Sequence, residues 1–262
     1  MSALPKITAA SSLACTQLTV EVAARVLVRD LNLSIASGTV TAVLGCNGAG
    51  KTLTLHTLAG LRAPARGAVT LDGEMLANWP RRLLARKLGL LTQTTEDPFP
   101  STVLDSVLVG RHPHIDFWRW ENDVDRAIAR DALAAVALVE LAERDIDTLS
   151  GGERRRVALA TLLAQNPQVL LLDEPINHLD PHHQLDVLKL LRERASARTV
   201  VMSLHDAGLA ARFSDHALLL FGNGEWLSGP TSEVLTPQTM TKLYGVAVRE
   251  IAFPGGRTFV AG

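Results

Sequence analysis

The sequence has few cysteines, little net charge and no long apolar run. Its 262 residues include only Cys15 and Cys46, too few for a disulfide framework, so a reducing cytoplasm is the simpler interpretation. The formal net charge of −1 provides no overall basic field, which argues against a nucleic-acid partner. No apolar stretch approaches the roughly 20 residues that span a bilayer, and residues 1–12 lack the apolar core of a signal peptide. We therefore expect a chain that is soluble by itself and reaches any membrane through a partner.

Hydrophobic periodicity predicts an α/β fold, and a length of 262 residues allows one or two domains. β-Branched and apolar runs predict the strands, and leucines at helical spacing predict a helix that starts at Lys51 and another over 181–195. The predicted strands are 31–35, 39–44, 68–71, 88–92, 169–172 and 199–204, with a late hairpin over 217–227.

Residues of about 97–166 have helix-like runs at 102–109 and 123–141 and no convincing strand. We interpret them as a helical subdomain inserted into an α/β core of about 13–96 and 167–262. The alternative is that these helices simply cover the same sheet.

A phosphate-binding loop is predicted between the strand 39–44 and the helix that follows. Residues 45–52 fit the pattern G-x-x-x-x-G-K-[ST], in which backbone N–H groups and a helix N-terminus surround phosphates. Lys51 would contact the β- and γ-phosphates, and the hydroxyl of Thr52 would bind Mg²⁺. A chance glycine-rich turn is the alternative. The residues assigned to nucleotide here are Gly45, Asn47, Gly48, Ala49, Gly50, Lys51 and Thr52.

Two acidic residues end the apolar strand 169–172. A buried Asp173 needs a charged partner, and Mg²⁺ held through water would supply one. Glu174 is placed to orient an attacking water or accept its proton. Alternatively, the pair caps the next segment, which Pro175 would permit.

Gln93 and His205 each follow a predicted strand, where ligands bind in α/β sheets. His205 could hydrogen-bond a γ-phosphate oxygen and a water, and Gln93 offers a carbonyl for the metal and an amide for the water. The alternatives are a structural histidine and a solvated loop glutamine.

A second anion site is predicted where Ser150, Gly151 and Gly152 open a helix. An ordinary helix cap is the alternative. The phosphate loop already accounts for one triphosphate. The second site therefore suggests that Ser150, Gly151 and Gly152 bind the γ-phosphate of an ATP held by another subunit. A homodimer with two shared sites would follow.

In order, GCNGAGKT, Gln93, LSGGERRR, LLLDEP, NHLD and His205 resemble the ATP-binding cassette superfamily over about residues 15–230. These segments are similar to its Walker A, Q-loop, signature, Walker B, D-loop and switch-histidine elements. The resemblance implies a single ATPase domain over residues 1–262. This domain would have a P-loop NTPase core with a parallel sheet, an N-terminal antiparallel β part and the inserted α-helical subdomain. It also implies ATP and Mg²⁺ as cofactors, a nucleotide contact for Asp180, and a head-to-tail dimer. Each ATP would lie between one Walker A motif and the partner's signature.

The chain departs from the superfamily pattern at two positions. Residues 18–25 contain no aromatic residue to stack on adenine, so Val22 or Arg25 must provide that contact, Arg25 through its guanidinium plane. Base selectivity is therefore open. Cys46 stands where proline or arginine is common, and we expect its thiol to be alkylatable, with ATP protecting it.

Within the superfamily the chain resembles the ATPase subunits of importers for heme, cobalamin and ferric siderophores, in residues 98–103, 109–113 and 177–184. This implies an integral-membrane permease dimer as partner, a periplasmic binding protein as an indirect partner, and a peripheral location at the cytoplasmic face of the inner membrane. Gln93 and 94–103 would border the groove for the permease's coupling helix. An exporter or lipid-extracting ATPase, and a soluble cassette protein acting on ribosomes or DNA, are the alternatives.

Overall fold

The computed structural model describes residues 12–93, 100–116 and 118–262. Its strands are β1 (Leu13–Val22), β2 (Arg25–Ile35), β3 (Val40–Leu44), β4 (Arg66–Leu71), β5 (Glu74–Met75), β6 (Leu88–Leu91), β7 (Val169–Leu172), β8 (Thr199–Ser203), β9 (His216–Leu220), β10 (Trp226–Pro230), β11 (Val248–Phe253) and β12 (Gly256–Ala261). Its α-helices are α1 (Lys51–Leu58), α2 (Arg81–Lys87), α3 (Val103–Leu108), α4 (Asp123–Ala135), α5 (Gly151–Gln165), α6 (Pro181–Ala195), α7 (Ala207–Phe213), α8 (Thr231–Val234) and α9 (Pro237–Tyr244). None of the described helices is long and apolar enough to cross a membrane.

The central sheet has the strand order β10-β9-β3-β8-β7-β6, and every neighbouring pair except β9 and β10 is parallel. All residues of β3, β7 and β8 are buried, because both faces of the sheet are covered. The predicted parallel sheet and the late hairpin, in which β9 pairs with β10, are confirmed. The carboxyl ends of β3, β6, β7 and β8 meet at one edge, and that edge carries the predicted site.

A second, antiparallel sheet has the order β2-β1-β4-β5, which confirms the N-terminal β part. Ala23 and Ala24 connect β1 to β2 with φ of +46° and +65°, a backbone that matches the twist of a two-residue hairpin. This turn places Val22 directly opposite Arg25 in the strand register. The sequence predicted only the last part of β2, because register shifts between Leu31 and Val26 interrupt the alternation along the first part of this strand.

Helices dominate the described residues between β6 and β7. The predicted helix over 123–141 is too long: α4 ends at Ala135, and Ala137 has a φ of +55°, which a continuing helix does not allow. The buried apolar side chains of α3, α4 and α5 belong to the same hydrophobic cluster as Leu44 and Leu91 of the sheet. The division into a subdomain and a core stays a prediction.

The helices α8 and α9 and the hairpin β11–β12 follow β10 and were not predicted. β11 pairs with β12 alone, and α9 ends next to the central site, where the hydroxyl of Tyr244 donates to the carbonyl of His205 over 3.1 Å. The C-terminal segment therefore contacts the backbone of His205, a residue of the site.

Candidate nucleotide-binding and catalytic site

The phosphate loop connects β3 to α1 and lines a cavity of about 710 Å³. Gly50 has a φ of +102°, and a Cβ on Gly45 would lie 2.7 Å from the carbonyl oxygen of Leu220, so both positions require glycine. Lys51 Nζ donates to the carbonyl of Gly45 over 2.8 Å. Burial lowers the pKa of Lys51, although the carboxylates of Glu174 and Asp173 raise it.

Asp173 is fully buried at the carboxyl end of β7. Its carboxylate accepts hydrogen bonds from Thr52 Oγ1 over 2.5 Å and from Ser203 Oγ over 2.6 Å. Hydroxyl and carboxylate oxygens are the ligands that Mg²⁺ accepts, either directly or through water. The donor set at Thr52 and Asp173 therefore fits the predicted metal.

Glu174 has a φ of +51° and a buried side chain. One carboxylate oxygen lies 2.6 Å from His205 Nε2, and the other accepts from Gln93 Nε2 over 3.0 Å and from the side-chain amide of Asn177. All four of these side chains line the cavity of the phosphate loop. The structure thus brings the predicted Gln93, Glu174 and His205 together with Lys51 and Thr52.

Sequence reasoning missed two partners of these acids. Asn177 was noted only as part of the NHLD run, and Ser203, whose hydroxyl accepts from the backbone N–H of Glu174 over 2.8 Å, was not singled out. A polar residue near the end of the apolar strand 199–204 is the signal that could have identified Ser203.

Val22 and Arg25 line the same cavity, at the end of the β1–β2 hairpin. The guanidinium of Arg25 donates to the carbonyl of Gly222 over 2.9 Å, which fixes one edge of its plane. Cys46 is exposed, and its thiol lies 3.1 Å from the carbonyl of Leu243. Both predicted base contacts and the predicted reactive thiol are therefore placed at the cavity.

Ser150 begins α5 with a capping box. Its hydroxyl accepts from the backbone N–H of Glu153 over 3.3 Å, and the carboxylate of Glu153 accepts from the backbone N–H of Ser150 over 2.8 Å. Ser150, Gly151, Gly152 and Asp180 line a second cavity of about 530 Å³. None of the described residues lines both cavities, so one chain separates the signature segment from its own phosphate loop.

Asp180 begins α6 and accepts hydrogen bonds from the backbone N–H and the ring Nδ1 of His183, over 3.0 and 2.7 Å. These bonds, the backbone one first, lower the pKa of Asp180 to about 2. A carboxylate therefore faces the second cavity at neutral pH.

The ABC transporter family model matches residues 28–177, and this chain belongs to that family. It is an ABC ATPase, a protein that binds and hydrolyses ATP. The iron(3+)-hydroxamate import ATP-binding protein of Bacillus subtilis (strain 168) is 38% identical over 93% of this chain and 91% of its own length. The hemin import ATP-binding protein of Gloeobacter violaceus is 41% identical over 90% and 88%.

A solved structure also resembles this chain. It is a chain of an ABC transporter described as metal-chelate type, in an inward-facing conformation, and it is 29% identical with a TM-score of 0.84. The match covers 96% of this chain and 98% of that chain.

Proposed function

We propose that this chain is the ATP-hydrolysing subunit of a bacterial type II importer that takes up a metal chelate such as heme, cobalamin or a ferric siderophore. The observation that carries the ATPase role is the convergence of Gln93, Asn177 and His205 on the Glu174 carboxylate beside Lys51. The likeness to importer subunits for iron(3+)-hydroxamate and hemin supports the class of cargo.

In this proposal the phosphate loop and Lys51 bind the β- and γ-phosphates of ATP. Thr52, Asp173 and Gln93 would hold Mg²⁺, Asp173 through water, and the ion would neutralise the charge that develops on the transferred phosphoryl group. Glu174 orients the attacking water and accepts its proton. His205, which lines the same cavity, donates to a γ-phosphate oxygen. Arg25 or Val22 contacts the base.

Hydrolysis also requires a second copy of this chain. The signature segment of each copy, with its Asp180, would close over the γ-phosphate held by the phosphate loop of the other copy. The separation of the two cavities within one chain supports this head-to-tail homodimer, because each chain carries both halves without being able to join them.

The proposed membrane partner is a permease dimer, with a periplasmic binding protein acting indirectly and no nucleic acid involved. The chain would be peripheral at the cytoplasmic face of the inner membrane. Gln93 and 94–103 would border the groove for the permease, although 94–99 lie outside the described residues. Closure of the nucleotide-bound dimer would shift the permease between its inward and outward states.

Uptake into liposomes tests this function. The chain is co-purified with its permease and binding protein, supplied with ATP, and offered heme, cobalamin or a ferric siderophore. ATP-dependent accumulation of one cargo, lost in Glu174→Gln, is the expected result. ATPase activity without accumulation of any of them would contradict the importer assignment.

A further inference from the structure

Two strands of the central sheet separate next to the catalytic carboxylate. β6 and β7 pair in parallel up to Leu91 and Leu172, and the backbone N–H of Asp173 then donates to the carbonyl of Leu91 over 2.8 Å. Beyond this bond the segment after β6 continues into Thr92 and Gln93, and the segment after β7 continues into Asp173 and Glu174. Backbone carbonyls at such a split need donors from elsewhere.

One side chain supplies those donors to both branches. Arg155, on the second turn of the signature helix α5, donates through Nη1 to the carbonyls of Thr92 (2.5 Å) and Gln93 (3.3 Å). Through Nη2 it donates to the carbonyls of Asp173 and Glu174, the latter over 2.9 Å. The guanidinium group is planar and rigid. It therefore fixes the spacing between the two branches and also supplies hydrogen-bond donors to their backbone carbonyls.

This arrangement carries an energetic penalty. Arg155 is only 5% exposed, and burial lowers its pKa, although the carboxylates of Asp173 and Glu174 raise it. Its Nε has no hydrogen-bond partner in the described part of the chain. Burial of this cation and of its unpaired Nε offsets part of the stabilisation that its hydrogen bonds provide, so its location between two catalytic segments points to a role beyond stability.

We propose that Arg155 is a positioning residue for hydrolysis. It fixes the backbone from which the carboxylate of Glu174 and the amide of Gln93 project. It also ties that backbone to the helix that begins at Ser150, so that a displacement of Gln93 moves the signature segment. This inference rests on the proposed role of Glu174 as the group that activates water.

Steady-state kinetics of Arg155→Gln provide the first test. We expect kcat to fall by between about tenfold and about 100-fold, because a shift of about 1 Å in a catalytic group has an effect of that size. The KM for ATP should change by no more than about twofold, since Arg155 does not line the cavity. A wild-type kcat would overturn the proposal.

The chain offers a matched control in Arg198. This arginine is half-buried, and desolvation lowers its pKa. It donates through Nε to the carbonyl of Pro167 over 3.1 Å and through Nη2 to the side chain of Asn166. It lies at the opposite, amino-terminal edge of the sheet. Arg198→Gln should lower the melting temperature as Arg155→Gln does, and it should leave kcat unchanged. An equal loss of kcat in the two variants would reduce Arg155 to a stabilising residue and overturn the proposal.

A double-mutant cycle then asks whether Arg155 acts through Glu174. If it does, Arg155→Gln combined with Glu174→Gln should turn over within about twofold of Glu174→Gln alone. If the two losses of activity were fully additive as activation free energies, the proposal would be overturned. If Glu174→Gln alone retained wild-type turnover, the proposed role of Glu174 would fail instead, so the two failures are distinguishable.

Arg155→Lys keeps the test valid if Arg155→Gln does not fold. A single ammonium cannot span both branches, so kcat should still fall while the positive charge is kept. A folded Arg155→Lys protein with wild-type kcat would overturn the proposal.

Discussion

The imidazole Nε2 of His205 lies 2.6 Å from Oε1 of Glu174. Glu174 follows β7 and His205 follows β8. The two strands are neighbours in the central sheet, and the two residues are 31 positions apart in sequence. Gln93, which follows β6, donates to the other carboxylate oxygen. Three adjacent strand ends therefore hold one carboxylate, and removal of its charge should disturb the reaction far more than the fold.

Glu174→Gln is expected to lower kcat by at least about 100-fold, the size of a general-base contribution, and to retain ATP binding. Because hydrolysis would stop before the dimer reopens, size-exclusion chromatography with ATP should show a stable dimer. Glu193→Gln, an exposed carboxylate on α6, is the control and should behave as wild type. Normal turnover in Glu174→Gln would contradict its assignment.

Ser150→Arg is expected to prevent dimer closure, because the larger cation would crowd the γ-phosphate presented by the other copy. ATP should still bind to the single chain. The measurement is ATP-dependent dimer formation on a Glu174→Gln background. Loss of the cap itself destabilises by about 1 kcal/mol, so Asn122→Arg, which removes the capping box of α4, is the matched control. If both variants dimerise equally well with ATP, the signature role is wrong.

Cys46 is expected to be the only thiol that reacts with iodoacetamide at neutral pH. Burial raises the pKa of Cys15 to about 11, which leaves almost no thiolate there, whereas Cys46 is exposed. ATP at about ten times its Kd should slow the reaction about tenfold, in proportion to the nucleotide-free fraction. Mass spectrometry of the adduct locates it, and Cys46→Ser is the control. Alkylation that leaves ATPase activity intact would contradict the placement of Cys46 beside the phosphates.

Acid should remove a stabilising contribution of Asp180. Its pKa in the folded chain is about 2 against an ordinary 3.8, so the contribution is complete above about pH 3.8 and disappears as the pH falls towards 2. Asp180→Asn retains a capping oxygen and does not titrate. In urea unfolding, the wild type should exceed this variant in stability at about pH 6 and by a smaller margin at about pH 3. A constant margin would contradict the assigned pKa.

The site could be predicted wherever its residues follow strands. The phosphate loop, Gln93, Asp173 and His205 were all located from the apolar strands that precede them, because parallel strands bring their carboxyl ends to one edge. The same strands fixed the parallel sheet. The end of α4 was missed because it depends on the left-handed backbone of Ala137, which alanine rarely adopts.

Contacts between distant segments could not be predicted in this way. Arg155 appears in sequence as one of three consecutive arginines on a helix, where solvated charges are the usual expectation. Only the packing of α5 against the split between β6 and β7 distinguishes it from Arg154 and Arg156. The approach of Tyr244 to His205 likewise depends on how the last helix folds back.

The separation of the two cavities has a genetic consequence. In a head-to-tail dimer that mixes Glu174→Gln chains with Ser150→Ala chains, which lose the signature hydroxyl without the bulk that blocks closure, one composite site receives both lesions and the other receives none. Two inactive alleles, carried on separate copies of the gene, would then complement each other, because each mixed dimer retains one intact site out of two. The same two lesions on one allele, paired with a wild-type chain, would leave no intact site. The arrangement therefore predicts intragenic complementation in trans and dominance in cis.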